Sequence, residues 1–189
     1  MSPPTRPRLD ILPSTCLPPL NHSASTRAVR SPQARPYTVI IDTREQLPYV
    51  FPNDHVKRMT LKTGDYSLAV DDRPRDFDVL ASVVAVERKS MEDYWGCLAR
   101  SRKRFERELE RLKAIEWPLV IIECSTRQMM AGADYGEVPP SVATGSMCSW
   151  MQQYGIPFLL AGDRECGRFW TLRWLDMAYK KVKARERGK

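Results

Sequence analysis

Apolar positions set the plan of the chain. Tyr37 to Asp42 (YTVIID) is a β-branched run that ends in an acid. Val56 to Leu61 and Tyr66 to Val70 are two further short runs on either side of the Lys62-Thr63-Gly64-Asp65 turn, and each predicts a strand. Asp71 to Asp78 is charged and carries Pro74, which predicts a loop. Val79 to Glu87 is the next strand, with its acid near the end. Spacing then changes from two to three or four. Ser90 stands where a helix cap would, with Asp93 three residues on, a capping-box pattern with Asp in place of Glu or Gln. Phe105, Leu109, Leu112 and Ile115 line one face of the following helical stretch, which is interrupted near Ala99–Ser101. Pro118 to Glu123 (PLVIIE) and Ile156 to Ala161 (IPFLLA) are apolar enough for buried strands. Between them Ser141 to Tyr154 predicts a helix that stops at Gly155. Asp163 to Lys181 predicts a terminal helix rich in aromatic residues. Strands first, then strands alternating with helices, predict an α/β fold: a mixed sheet flanked by helices.

The first 36 residues lack this patterning. They hold eight of the fifteen prolines, five Arg and one Asp, which predicts a disordered Pro/Arg-rich arm. The patterned, folded domain is expected over 37–182, and a basic tail at 183–189. Charge follows the same division. Residues 1–36 carry +4 and residues 180–189 carry +5, which leaves −2 for the middle of a chain whose net charge is +7. Basic ends of this kind suit salt-sensitive attraction to nucleic acid, or simply keep the protein in solution.

Composition narrows the chemistry. Five scattered cysteines without a Cys-x-x-Cys pair predict a reduced, intracellular protein, cytoplasmic in a bacterium or virus and nuclear in a eukaryote. No apolar run is long enough to cross a bilayer, so no membrane partner is expected. Two histidines, His22 and His55, argue against a His-metal centre and leave carboxylates and Lys as the reactive groups. The richest stretch is Val86-Glu87-Arg88-Lys89-Ser90-Met91-Glu92-Asp93. Residues two apart on a strand face the same way, so Glu87 and Lys89 would meet at one point. Asp65 can add a second carboxylate from a neighbouring strand end, and Asp42 a third. Carboxylates that hold a hard divalent cation, with an ammonium beside them, are the apparatus of phosphodiester hydrolysis. Taken singly, Asp65 is an ordinary turn residue, Glu87-Arg88-Lys89 a solvated strand end and Asp93 a helix cap.

In combination and in this order, IDTREQLP, LKTGDYSL, VAVERKSMEDYWGCL, RKRFERELERL and PLVIIE resemble the nuclease domain of the XPF-type structure-specific endonucleases. The resemblance covers roughly residues 38–182. It implies a restriction-endonuclease-like fold and a Mg²⁺- or Mn²⁺-dependent hydrolase. That enzyme would cut branched DNA (flap, fork or junction) in repair, recombination or replication. Asp42, Asp65 and Glu87 would hold the metal and Lys89 would be the catalytic lysine. Arg44, Glu45, Arg88 and Asp93 would complete the site. Arg104 matches an Arg common in the family. With Arg100, Lys103, Lys180, Lys181 and Lys183 it is a candidate DNA contact.

Two departures stand out. The sequence has no helix-hairpin-helix or helicase region, and Glu108 stands where the family commonly has Gln. Met147, Met151, Met177 and the aromatics of the terminal helices are also more than one helix face needs, which suggests a homodimer. The competing readings are a catalytically inactive DNA-binding or scaffold subunit, and a Holliday-junction or restriction-type nuclease on the same fold.

Overall fold

The computed structural model describes residues 35–52, 54–70, 78–132 and 138–188. The expected arm, up to residue 34, and nearly all of the expected 71–78 loop lie outside the described residues. Seven strands form one sheet. In chain order they are β1 (Thr38–Asp42), β2 (Val56–Met59), β3 (Tyr66–Val70), β4 (Asp78–Val79), β5 (Val84–Ser90), β6 (Trp117–Glu123) and β7 (Phe158–Leu160). The helices are α1 (Met91–Ala99), α2 (Arg102–Leu112), α3 (Thr126–Ala131), α4 (Pro140–Tyr154) and α5 (Arg164–Arg187). The sheet order is β2-β1-β3-β5-β6-β7, with β4 paired to β3. β1 is parallel to β2; β3 runs antiparallel to β1 and β5; β5, β6 and β7 are parallel.

The two faces follow from strand alternation. Val39 and Ile41 of β1, Tyr66 and Leu68 of β3, Val84 and Val86 of β5, and Leu119 and Ile121 of β6 pack with Leu172, Leu175 and Ala178 of α5. Ala85, Val120 and Ile122 face the other way, into a layer built from α1, α2 and α4 around Trp95, Phe105, Leu109 and Trp150. Continuing the alternation puts Glu87 and Lys89 on the α2 side and Arg88 on the α5 side.

Local signals decide where elements stop. The Ser90 hydroxyl accepts the Asp93 N–H at 3.0 Å and caps α1. α1 and α2 break at Arg100–Ser101, as the spacing predicts. Gly155, at φ 67°, closes α4 in the left-handed conformation that glycine adopts freely. Three boundaries differ from expectation. The strand expected over Val79 to Glu87 is divided by a turn at Ala81–Val83 into β4 and β5. The last helix continues to Arg187, so most of the expected 183–189 tail is helical; Arg185 pairs with Glu116, and Lys183 reaches Glu186 at 3.0 Å. The ordered fold also begins before Tyr37. Arg35 bridges Asp54 at 2.8 Å and Asp176 at 2.9 Å, and the Tyr37 hydroxyl donates to Asp176 at 2.7 Å. The short helix α3, capped at its N-terminus by reciprocal bonds between Ser125 and Gln128, was not anticipated.

Candidate active site

Three acids arrive on the α2 side of the sheet from three strands or strand ends. Asp42 ends β1, Asp65 precedes β3 and Glu87 lies within β5. The turn before β3 makes this approach possible. Gly64 has φ +76°, and a Cβ there would sit 3.0 Å from the Ala85 Cβ and 3.3 Å from the Val86 carbonyl oxygen. Only glycine combines that conformation with so close a pass. The backbone then locks Asp65 in place: its N–H donates to Val86 O and its carbonyl accepts the Asp42 N–H, each at 2.8 Å.

Asp42, Asp65, Glu87, Arg44, Glu45, Lys89, Arg104 and Glu108 line one cleft of about 180 Å³. Lys62, Thr63, Gly64 and Arg111 complete its wall. The Lys89 ammonium donates to Glu87 at 2.6 Å and lies 3.5 Å from Glu108 and 5.1 Å from the Phe105 ring centre. Burial alone would lower its affinity for a proton. Glu87 and Glu108 outweigh that and raise it, which favours the charged ammonium. Arg104 reaches the other oxygen of Glu108 at 3.3 Å and remains largely exposed. Glu108, the departure from the family pattern, thus ties the α2 arginine to the β5 lysine.

Asp65 and Glu87 form the strained pair of the cleft. Burial, then the neighbouring Glu87, pushes the Asp65 carboxyl well above the usual carboxylate range, although the Arg88 N–H donates to it at 2.7 Å. Burial likewise raises Glu87, against the pull of Lys89. One oxygen of each carboxylate carries these bonds; the Asp65 Oδ1 and Glu87 Oε2 atoms have no hydrogen-bond partner among the described residues. A half-buried Asp65 and a buried Glu87 that repel each other, each with a spare oxygen beside the cleft, fit a hard divalent cation. Mg²⁺ is typically held by one or two carboxylates with water and phosphate supplying the rest. A preformed cage is not the arrangement: no group of three His, Cys, Asp or Glu side chains converges on one point among the described residues.

Asp42, expected as a third ligand, is held by donors of the protein itself. It is 1% exposed, and both oxygens are taken. One accepts the Arg44 N–H at 2.8 Å and Nε at 2.7 Å; the other accepts Arg44 at 3.0 Å and the Leu61 N–H at 2.6 Å. Burial works to raise its carboxyl, but these donors prevail and hold it below the usual value. Asp42 is therefore the anchor that joins Arg44 and the Leu61 strand end to the site.

Arg88 is also placed differently from expectation. It lies on the α5 side, 2.8 and 2.7 Å from the two oxygens of Glu123, 3.5 Å from Glu45 and 5.8 Å from the Tyr49 ring centre. Its side chain fastens β5, β6 and the Glu45–Tyr49 loop behind the cleft, and only its backbone N–H serves Asp65. Arg164 of α5 joins this network, 3.4 Å from Glu123 and bonded to the Leu47 and Pro48 carbonyls. Sequence reasoning missed Glu123 and Arg164; the acid that ends PLVIIE was the available signal for the first.

The DNA-contact candidates separate into two groups. Arg104 lines the cleft. Asp93 and Arg100 line an adjoining hollow of about 410 Å³ between α1 and α2, which shares Lys89, Arg104 and Glu108 with it. Lys103 is exposed on α2 outside both. Lys180, Lys181 and Lys183 lie toward the opposite end of the sheet: α5 meets Glu123 at its start and Glu116 near its end, and Lys181 sits 5.2 Å from the Trp117 ring centre. Trp117 pairs with Val84 at the start of β5, whereas Glu87 pairs with Val120.

A sequence model of the ERCC4 domain matches residues 41–170. The chain belongs to the ERCC4-domain family. The matched span of this ERCC4 domain runs from the strand that carries Asp42 to the first half of α5, and it includes the whole cleft. Two solved structures share the fold, both XPF from Aeropyrum pernix. One matches with a TM-score of 0.58 at 18% identity, over 79% of this chain and 69% of that one. The other, a complex with DNA, matches with a TM-score of 0.55 at 20% identity, over 78% and 66%. The sheet and its helices are thus those of the XPF nuclease fold, the restriction-endonuclease-like architecture that the resemblance implied. A Methanocaldococcus jannaschii protein whose name assigns it as an ATP-dependent RNA helicase is 29% identical over 135 residues. That stretch is 69% of this chain and 14% of the larger protein.

Proposed function

We propose that this ERCC4 domain is a metal-dependent endonuclease that hydrolyses phosphodiester bonds in branched DNA. The observation that carries the proposal is the Asp65–Glu87 pair: a half-buried and a buried carboxylate that repel each other, with one free oxygen each, beside the Lys89 ammonium. Mg²⁺ or Mn²⁺ held by that pair would supply a polarised phosphoryl oxygen and a water of lowered pKa.

The protein's own groups account for the remaining work. Lys89 is held 2.6 Å from Glu87 and offers an N–H toward a phosphate oxygen where charge develops, worth most in a cleft that excludes bulk water. Arg44, pinned by Asp42, adds a second positive charge on the other wall. Arg104 is mostly exposed and tied to the cleft only through Glu108, so it is free to turn toward a neighbouring phosphate. Asp42, Gly64 and the Arg88 network keep the two metal-binding acids at fixed separation. Family membership and the fold shared with a DNA-bound XPF support DNA as the substrate, and the resemblance supports flaps, forks or junctions within it.

Phe169, Trp170 and Met177 of α5 and Val142 of α4 are exposed apolar side chains, which supports pairing of two copies through these helices. The four described cysteines are unpaired, which suits the reducing compartments in which cells keep DNA.

The test is a cleavage assay with Mg²⁺ or Mn²⁺ on matched flap, fork, Holliday and linear duplex DNA, with Asp65→Ala alongside. Metal-dependent cutting of the branched substrates, lost in the variant, is the expected result. Equal cutting of all four would keep the chemistry and discard the selectivity. Binding without any cutting would favour the scaffold reading.

A further inference from the structure

The α2 side of the sheet is unevenly covered. Over β5 and β6 it lies under the α1, α2 and α4 layer. Over β1 and β3 the buried cluster among the described residues is Ile40, Leu61 and Ala69, with Met59 and Ala81 packed against it, and no described helix residue belongs to it. Between this half of the sheet and the end of α2 opens a groove of about 630 Å³, floored by Met59, Leu61, Ala81, Ala114 and Ile115. It is continuous with the Asp65–Glu87 cleft, because Lys62, Thr63 and Arg111 line both.

The charges at that junction differ from those around them. Arg44, Arg88, Lys89 and Arg104 each pair with a carboxylate. Lys62 and Arg111 pair with no acid among the described residues, and both are exposed. Two free cations stand where a polar cleft becomes an apolar groove. A ligand that satisfies both must be anionic along one edge and flat and apolar along the other. A nucleotide in an unpaired strand has that form; a duplex hides the faces of its bases in the stack. Sequence-independent single-strand sites pair a cationic track for the backbone with aromatic platforms for the bases; here aliphatic and Met side chains take the place of the platforms.

We infer that the groove receives unpaired nucleotides next to the phosphate being cut, with Lys62 and Arg111 on their backbone and Met59, Leu61, Ala81 and Ile115 against their bases. The inference rests on the nuclease reading and adds to it a place for the unpaired nucleotides, on the β1–β3 flank of the cleft.

The experiment uses the full chain carrying Asp65→Ala and partly single-stranded DNA with 5-iodouracil placed either in the unpaired arm or within the duplex. Crosslinks from the unpaired arm should fall at 59–63 and 111–115, and those from the duplex elsewhere. Affinity for a single-stranded oligonucleotide, relative to duplex of the same length, should fall about tenfold in Ala114→Glu and in the Lys62→Ala/Arg111→Ala pair. Ala114 is exposed in the turn after α2, and a melting curve checks that its replacement folds. Crosslinks outside the groove, or an unchanged affinity ratio, would overturn the inference. So would a change of oligomeric state in Ala114→Glu with that ratio unchanged, which would make the groove an interface between copies. Cleavage by the unmodified protein is scored in parallel. Cutting with no groove crosslinks defeats the groove alone; groove crosslinks without any cutting defeat the nuclease reading and leave a strand-binding surface.

Discussion

β5 carries two electrostatic regimes on its two faces. Behind the sheet, Arg88 meets both oxygens of Glu123 and approaches Glu45, so buried charges of opposite sign are matched. In front, one residue to either side, Glu87 and Asp65 are pressed together with a single ammonium between Glu87 and Glu108. The rear face is satisfied by the protein alone. In front, Lys89 is the one side chain that hydrogen-bonds the Asp65–Glu87 pair among the described residues, while Arg44, Lys62, Arg104 and Arg111 stand along the cleft walls, and this is the face that opens to a cleft. A site whose acids keep spare oxygens is suited to something that arrives from outside, here a divalent cation and a phosphate.

The sharpest break of this contrast removes the front acids. Asp65→Ala or Glu87→Ala should lower DNA cleavage by about a thousandfold or more, while the melting temperature of the metal-free protein does not fall. A variant that unfolds instead would place these acids with the rear network.

Arg88→Ala should do the reverse. It leaves Glu45 without its cation and Glu123 with Arg164 alone, at a cost of about 3–5 kcal/mol in urea unfolding, and any loss of cleavage should follow the loss of folded protein. Lys89→Ala should reduce turnover by about a hundredfold with substrate affinity nearly kept. A change confined to KM would make Lys89 a simple binding group.

Gly64→Ala probes the link between the faces. The +76° torsion and the 3.0 Å approach to Ala85 predict a loss of about 1–3 kcal/mol, read by chemical denaturation, and weaker metal binding as Asp65 moves.

The smallest effect concerns pH. The folded protein holds the Asp65 proton more tightly than the unfolded chain does. Between the ordinary value of 3.8 and the raised folded value, the metal-free protein binds more protons folded than unfolded. Its stability therefore falls as pH rises through that window. Asp65→Asn should flatten the fall in a melting-temperature profile, and a steeper fall would contradict the assignment.

Much of this contrast was legible in the residues. The period-two run through Val84, Val86 and Glu87 places Glu87 and Lys89 on one face and Arg88 on the other, and Gly64-Asp65 marks the turn that meets them. Alternation alone should have moved Arg88 out of the site, but its position inside the ERK run drew it in. Asp42 was harder. Its strand end suggests a ligand, and only the Leu61 N–H and the Arg44 fork, brought from other parts of the chain, show both oxygens occupied. Glu123 and Arg164 lie 35 and 76 positions beyond Arg88, and such distant partners leave no spacing to detect. The end of α5 was misjudged because Lys and Arg are good helix formers whose charge resembles that of a tail.

The most direct test of the central claim is calorimetric titration of the metal-free protein with Mn²⁺, in the unmodified chain and in Glu87→Gln and Asp42→Asn. The account predicts saturable binding in the unmodified protein, loss of that binding in Glu87→Gln, and binding retained in Asp42→Asn. Equal binding by the unmodified protein and Glu87→Gln would contradict it.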